Sequence, residues 1–513
     1  MSVEVRGARL LAVLPSLLAG CAQAVSIATP WNGQALWWLQ LAALGLLAWQ
    51  IDRAKDWRRA AWQGWLFACG WLTGTFWWLF IALHTYGGLP ALLAVPAVFG
   101  LAALLALYYA AACGVFVALA PVNRAGRALL FAALWLLAEL ARGRLFTGFG
   151  WGAVGYAHVE GLLAGYAPWI GVYGIGAIAA WLAMTIPQAW QCGPWQRVAA
   201  LAVLTWPSVY QIGEPIHTAS TGRLQVALLQ GNIPQDEKFQ PGSGVPMALR
   251  WYAGELARSQ ASLVVTPETA IPLLPQQLPQ GYWDTLLQRF SSGEQAALIG
   301  LPLGSFKAGY TNSVVGLKPG QAEVWRYDKH HLVPFGEFIP PLFKWFTAMM
   351  NIPLGDFNRG HVGQPSFEWQ GQRLALNICY EDLFGEELGA RFAYPAQAPT
   401  VFVNASNIAW FGNTVAVDQH LNISRMRALE FERPFIRATN TGATVIIDHH
   451  GSVTAALPRY TQGVLVGEVE GRNGITPYAW WVSRLNLWPL WLGAAGLLLA
   501  AWLRRRHKNS RRL

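Results

Sequence analysis

From about residue 8 to 212 the chain is a succession of apolar runs broken by short joints. A bilayer core of about 30 Å is crossed by about 20 apolar helical residues. The pattern predicts seven helical spans, near 8–28, 34–51, 60–83, 90–120, 127–142, 166–190 and 195–212, the last being short and holding Pro207. From 213 onward the apolar runs shorten and turn residues separate them, which is the pattern of a sheet domain. One more apolar run, 485–503, predicts an eighth span before a basic tail. The chain therefore divides into a seven-span membrane domain (1–212), a sheet domain (213–484), and an eighth span with its tail (485–513).

Within 213–484 the runs at 224–229, 263–266, 296–299, 313–317, 323–327, 374–378, 400–403, 444–447 and 463–469 predict strands. Helical periodicity appears at 247–258, 282–290, 383–390 and 415–432. Hairpin-like strand pairs mix with strand–helix alternation, so the expected class is a layered α/β or α+β sheet of mixed direction. No GxGxxG, Walker, HExxH or CxxC pattern occurs, and His449 and His450 precede Gly451 in an expected hairpin turn. Neither a metal nor a cofactor is expected.

Composition and charge sharpen this division. Hydrophobic types make up 54% of the 513 residues and charged types 12%, against roughly 25% in an ordinary soluble domain. A disordered chain is excluded. The net charge of +10 is unevenly placed. Alternate joints and the two ends carry fifteen Lys and Arg against Glu4, Asp52 and Asp56. The sheet domain has 20 basic and 22 acidic residues. By the positive-inside rule both termini are cytoplasmic and the sheet domain lies across the membrane. The basic excess reports topology and anionic lipid, not nucleic acid. Glu139 and Arg142, three apart near a span end, are expected to form a structural ion pair.

Candidate chemistry gathers where strands end in polar residues. The first strand end is Val264-Val265-Thr266-Pro267-Glu268, where Pro267 stops the ladder and Glu268 follows. The second is Tyr327-Asp328-Lys329, continuing through the apolar loop Leu332-Val333-Pro334-Phe335-Gly336-Glu337-Phe338. The third is Leu376-Asn377-Ile378-Cys379-Tyr380-Glu381-Asp382. Cys379 is the one cysteine of five inside 213–484. Without a disulfide partner there it is an inert buried thiol, the commoner case, or a reactive one. Two adjacent carboxylates would raise its pKa, so a reactive role needs a cation and a base from elsewhere. Lys329 and Glu268 are available if the three strand ends meet.

The ordered set Glu268, Lys329, Cys379 resembles the triad of the nitrilase (carbon–nitrogen hydrolase) superfamily, whose fold is an αββα sandwich. With the membrane frame, the whole chain resembles the apolipoprotein N-acyltransferase family of bacterial inner membranes. The motifs that carry the likeness are Gln230-Gly231-Asn232-Ile233-Pro234-Gln235, Pro267-Glu268-Thr269, Lys329 with Leu332 through Phe338, Cys379-Tyr380-Glu381, and Thr147-Gly148-Phe149-Gly150-Trp151. Gly150 stands where that family commonly has Pro, and Phe239 where it often has Trp.

The resemblance implies eight spans, a periplasmic nitrilase-like domain and a monomer. It implies a two-step acyl transfer without metal or cofactor. The donor would be a phospholipid, at sn-1 of phosphatidylethanolamine, and the acceptor a diacylglyceryl-cysteine apolipoprotein. Cys379 would be the nucleophile, Glu268 the base, and Lys329 with the Tyr380 N–H the oxyanion donors. Glu337 and Glu381 would support them, and Phe239, Phe335 and Phe338, with Trp345 and Phe346, would line a lipid entrance or pack as ordinary core. Two alternatives stand beside this. A membrane-tethered amidase shares the triad but hydrolyses its acyl-enzyme. A transporter would need charges inside several spans, and Glu139 is the main one found.

Overall fold

A computed structural model of the protein describes residues 3–186, 193–210, 217–321, 323–339 and 357–510. It divides into two compact units. One comprises Met1–Phe80, Ala91–Glu214 and Leu485–Leu513, and the other Ile81–Pro90 and Pro215–Arg484. Trp345 and Phe346 lie outside the described residues.

In the first unit a helix occupies each of the eight apolar runs: Val3–Ile27, Trp37–Asp52, Trp57–Phe76, Ala91–Leu119, Arg124–Arg144, Ala167–Thr185, Pro194–Tyr210 and Trp488–Ser510. Among the described residues, Ala91–Leu119 and Ala164–Thr185 are long and apolar enough to cross a membrane. A third candidate is Pro477–Leu485 with Trp488–His507, a pair bent by 85°. Two of the remaining helices fall short for physical reasons. Trp37–Asp52 has 16 residues, about 24 Å at 1.5 Å per residue. Trp57–Phe76 spends its first turn on Trp57, Arg58 and Arg59.

The expected ion pair between Glu139 and Arg142 does not form. The Arg142 guanidinium donates instead to the Tyr109 hydroxyl (2.9 Å) and to the carbonyls of Phe149 (2.6 Å) and Trp151 (2.7 Å). Glu139 accepts from the Val154 N–H at 2.9 Å. Both side chains therefore satisfy the backbone of the 148–154 loop, whose buried polar groups find no water to bond. Around them Phe67, Trp71, Tyr109 and Trp135 pack ring against ring, with centroids 4.8–6.3 Å apart.

The second unit is built on two six-stranded sheets. The first sheet contains β1 (Thr218–Gln230), β2 (Leu263–Val265), β3 (Ala296–Ser305), β4 (Gly309–Leu317), β5 (Trp325–Asp328) and β12 (Gly463–Gly474), in the order β12-β1-β2-β3-β4-β5. β1, β2 and β3 run parallel, and the other pairs are antiparallel. The second sheet contains β6 (Phe367–Trp369), β7 (Gln372–Ile378), β8 (Val401–Ser406), β9 (Phe435–Thr439), β10 (Val445–Ile447) and β11 (Val453–Ala456), in the order β11-β10-β9-β8-β7-β6.

Alternation along each strand divides the apolar residues between two layers. One set, including Val226, Leu228, Val265, Leu298, Val314, Leu376, Ile378, Val403, Ile436 and Ala438, fills the space between the sheets. The other face of the first sheet, with Ala227, Leu229, Val264, Ala297 and Ile299, packs under the helices Gly244–Arg258 and Tyr282–Ser291. The helix Ala416–Phe431 covers the second sheet, its Phe431 ring 5.4 Å from Phe402. The result is an αββα sandwich.

Three strands go beyond those expected: β6, β9 and β11. The helix expected at 383–390 shrinks to Gly385–Gly389 flanked by single 3₁₀ turns. The segment Ile81–Pro90, expected as the end of one span (to 83), a joint (84–89) and the start of the next (from 90), belongs to the sheet unit, with Tyr86 set edge-on against Trp410 at 5.8 Å.

Candidate active site

Glu268 lies just past β2, on a loop pressed against β3. A Cβ on Gly300 would come within 2.1 Å of the Pro267 carbonyl oxygen, so only glycine lets the loop lie this close. The Thr266 hydroxyl accepts from the Gly300 N–H at 2.9 Å and ties the two together. The Glu268 carboxylate then receives donors from three other elements. Its Oε1 accepts from Lys329 Nζ at 3.1 Å and Asn312 Nδ2 at 2.7 Å. Its Oε2 accepts from the Asn407 N–H at 2.9 Å. Oε2 holds one donor where a carboxylate oxygen has about two lone-pair sites, so it retains room for a proton.

Lys329 follows β5 and is 1% exposed. Its N–H donates to the Asn312 carbonyl at 2.8 Å, which extends the β4–β5 pairing by one step and aims Nζ across β4. Nζ donates to Glu268 and, at 2.9 Å, to Glu337 Oε1. Asn312 Nδ2 bridges the same two carboxylates, at 2.7 Å to each. Glu337 Oε2 accepts from the Val333 N–H at 2.8 Å, closing its own loop. Burial pushes the Lys329 ammonium down, but Glu268 and Glu337 outweigh it and hold it well above the usual lysine range. Burial likewise raises Glu268, and the ammoniums of Lys329 and Lys238 outweigh that and keep it below the ordinary carboxylate range.

Cys379 directly follows β7 with φ +55°, a left-handed conformation that is uncommon for a side-chain-bearing residue. Asn404 Nδ2 donates to its carbonyl at 2.8 Å. The next residues make a single 3₁₀ turn, Cys379–Leu383, with a carboxylate on each side. Glu381 accepts from the N–H groups of Ile378 (2.6 Å), His330 (2.7 Å) and His331 (3.0 Å) and from the Tyr327 hydroxyl (2.8 Å). It thereby ties the cysteine turn to the segment that carries Lys329. Asp382 accepts from His420 Nε2 (2.9 Å) and Arg437 (3.1 Å) and from the Ser424 hydroxyl, which anchors the turn to the second sheet and its helix.

The thiol is partly exposed. The protein around it and the charge of Glu268 push its pKa up to about 12, with Lys329 pulling the other way. At rest the sulfur is therefore protonated, and a base must take its proton before it can attack.

Of the sequence-expected residues, Glu268, Lys329 and Glu337 share one hydrogen-bonded cluster, and Cys379 lies within their electrostatic reach. Glu381 stands behind the turn and not in the cluster. Tyr380 is buried, its ring edge-on to His331 and Phe384 at 5.5 and 5.3 Å. Phe335 and Phe338 are half-buried in the Glu337 loop, where Phe335 has φ +63° and Arg359 stacks on Phe338 at 4.6 Å. Phe239 is half-buried beside Lys238, whose Nζ is 5.8 Å from its ring.

Three residues escaped the sequence reading: Asn312, Asn407 and Lys238. Asn312 carried a signal, being an amide inside the apolar strand Ser313–Leu317 extends. Lys238 carried none, since Asp236-Glu237-Lys238 reads as a solvated loop.

The two-sheet sandwich is a fold of the carbon–nitrogen hydrolase type. The Carbon-nitrogen hydrolase family model matches residues 225–475, and the Apolipoprotein N-acyltransferase N-terminal domain model matches 19–185. Apolipoprotein N-acyltransferase from Verminephrobacter eiseniae is 60% identical, over 92% of each chain. That from Ralstonia nicotianae is 46% identical, over 92% of this chain and 90% of the relative. A carbon–nitrogen hydrolase structure from Helicobacter pylori covers 52% of this chain and 94% of its own, at 16% identity and a TM-score of 0.35. The chain belongs to the apolipoprotein N-acyltransferase family and is an acyltransferase.

Proposed function

We propose that the protein transfers an acyl chain from a phospholipid to the N-terminal amine of a diacylglyceryl-cysteine apolipoprotein, through a thioester on Cys379. The observation that carries this reading is the buried Glu268–Lys329–Glu337 cluster acting on a protonated thiol at a left-handed turn.

Glu268 Oε2 takes the Sγ proton, and the thiolate adds to the donor ester carbonyl. Lys329 and the Tyr380 N–H stabilise the tetrahedral oxyanion, where one donor is typically worth about 3 kcal/mol. The carbon–oxygen ester bond breaks, and the lysophospholipid leaves with the proton from Glu268. The acceptor amine then adds to the thioester and gives its proton to Glu268. The carbon–sulfur bond breaks, and the thiol is restored. Glu337 and Asn312 hold Lys329 and Glu268 in place throughout, which keeps the reacting groups in one geometry.

The donor in this reading is phosphatidylethanolamine, cleaved at sn-1. Both substrates are lipids, at about 0.8 kcal/mol per CH₂ lifted into water, so the chemistry belongs at a bilayer surface. In this reading the chain is a monomer in a bacterial inner membrane, and the charge pattern supports eight spans with cytoplasmic termini and a periplasmic catalytic unit. Phe239, Phe335 and Phe338 line the lipid entrance, and their half-exposure is compatible with that.

Incubation with acyl-labelled phospholipid tests the reading. Hydroxylamine-sensitive label is expected on the wild type and none on Cys379→Ala. Label that persists on Cys379→Ala would overturn it. Free acid released without transfer to a diacylglyceryl peptide would favour the hydrolase alternative instead.

A further inference from the structure

One charge in the site takes no part in the steps above. Lys238 follows β1 in the loop Gln235-Asp236-Glu237-Lys238-Phe239 and is 2% exposed. Its Nζ donates to the main-chain carbonyl of Glu268 at 3.0 Å. Among the described residues that carbonyl is its one hydrogen-bond acceptor, and no carboxylate oxygen bonds it. An ammonium buried this way is costly unless nearby negative charge compensates it.

Counting charges shows what it compensates. Glu268 and Glu337 contribute two negative charges and Lys329 one positive charge. With those three alone, the buried cluster carries −1 whether the thiol proton sits on sulfur or on Glu268, and −2 once that proton leaves the site, as it does when the thiol ionises to solvent. With Lys238 charged, the cluster is neutral while the proton stays on sulfur or on Glu268, and −1 once the thiol ionises to solvent. Poor screening inside the protein makes the second excess charge far harder to form.

We propose that Lys238 is a positioning residue of the acyl-transfer site, whose ammonium holds the main chain of Glu268 and whose charge balances the second carboxylate, so that Cys379 ionises in a neutral cluster. This rests on the reading of Cys379 as nucleophile and Glu268 as its base. Burial lowers the Lys238 pKa to about 8, while Glu268 and Cys379 draw it back up. The charged groups that act on it are Glu268 after β2 and Cys379 after β7, and Glu268 in turn pairs with Lys329, which pairs with Glu337. Asp236 and Glu237 flank it in its own loop. The charge that Lys238 supplies is therefore lost near pH 8.

The test is the iodoacetamide alkylation rate at Cys379 against pH. It is read from the Cys379 peptide by mass spectrometry, in the detergent-solubilised full chain. The wild-type rate is expected to climb with pH, flatten near pH 8 as Lys238 loses its proton, and climb again. Lys238→Met is expected to give one unbroken slope, about tenfold slower at neutral pH if the thiol pKa rises by about one unit, and to meet the wild type above the break. Lys238→Arg keeps its charge, and its rate is expected to follow the acid limb of the wild type without a break. A Lys238→Met profile that superimposes on the wild type, at an unchanged melting temperature, overturns the proposal. A break near pH 8 that survives in Lys238→Arg overturns it as well, and that variant serves if Lys238→Met does not fold. Lipid-derived label persisting on Cys379→Ala would sink the transfer reading, while these alkylation profiles bear on Lys238 alone.

Discussion

Asn312→Asp changes the shape of one side chain very little and the chemistry of the cluster a great deal. Asn312 Nδ2 donates at 2.7 Å to Glu268 and at 2.7 Å to Glu337. An aspartate would replace both hydrogen bonds with contacts between like charges. At an effective dielectric of about 20, two unit charges 2.7 Å apart repel by roughly 6 kcal/mol, so two contacts approach about 12 kcal/mol. That rivals the whole stability of an ordinary domain, about 5–15 kcal/mol. The cluster would escape by binding a proton, with a carboxyl pKa raised well above its ordinary value.

The pH dependence of stability then changes sign. In the wild type the Glu268 pKa is depressed in the folded state. It adds stability above the unfolded glutamate value of about 4.3, and that stability is lost as the pH falls. In Asn312→Asp the folded state holds a proton that the unfolded state has released, so stability falls as pH rises past about 4.3. The melting-temperature gap between wild type and variant is expected to be small near pH 4.5 and widest near pH 8. Acyl-enzyme formation at neutral pH is expected to drop at least tenfold, because the protonated cluster is a poor base. Asn312→Ala, which removes the donor without adding charge, is expected to give a shallower slope. A gap that stays constant from pH 5 to 8, or wild-type acylation by Asn312→Asp, would refute the reasoning.

Gly300→Ala places a methyl group 2.1 Å from the Pro267 carbonyl. It should cost about 1–3 kcal/mol by overpacking and slow acyl-enzyme formation by displacing Glu268, and unchanged melting and acylation would count against this packing. Glu381→Gln leaves an NH₂ facing donors that the carboxylate oxygens now accept from Ile378, Tyr327, His330 and His331. A loss of about 2–4 kcal/mol follows from unsatisfied donors, with faster hydrogen exchange confined at first to residues 378–383, and wild-type protection there would contradict it.

The legible part of the fold is the part written in local pattern. Strands such as Leu263–Val265 and Gln372–Ile378 are short, buried at nearly every position and bounded by turn residues, which makes them visible in the sequence. β9 was not, because Arg437 interrupts its apolar run; the strand is fully buried only because Asp382 accepts from that guanidinium. β6 has three residues, and β11 is largely exposed, so neither carries a buried-strand pattern. The eight apolar runs all form helix, but helix formation is local and membrane crossing depends on length and apolarity together, which two described helices meet.

By itself the sequence determined where the apolar runs lie, at which joints the basic residues collect, and that Glu268, Lys329 and Cys379 each follow a strand. Those features depend on neighbours within a few residues, where side-chain periodicity and chain-breaking residues act directly. Tertiary structure alone decided that one lysine and one asparagine bind two carboxylates, that Cys379 adopts a left-handed turn, and that Lys238 is buried beneath Glu268. Glu268 meets Asn312 across 44 residues and Asn407 across 139. Contacts at that separation exist only once β2, β3, β4 and β5 take their order in one sheet and β7 and β8 in the other. Charge balance in the site is a property of that assembled neighbourhood, because burial determines which charges water can no longer screen.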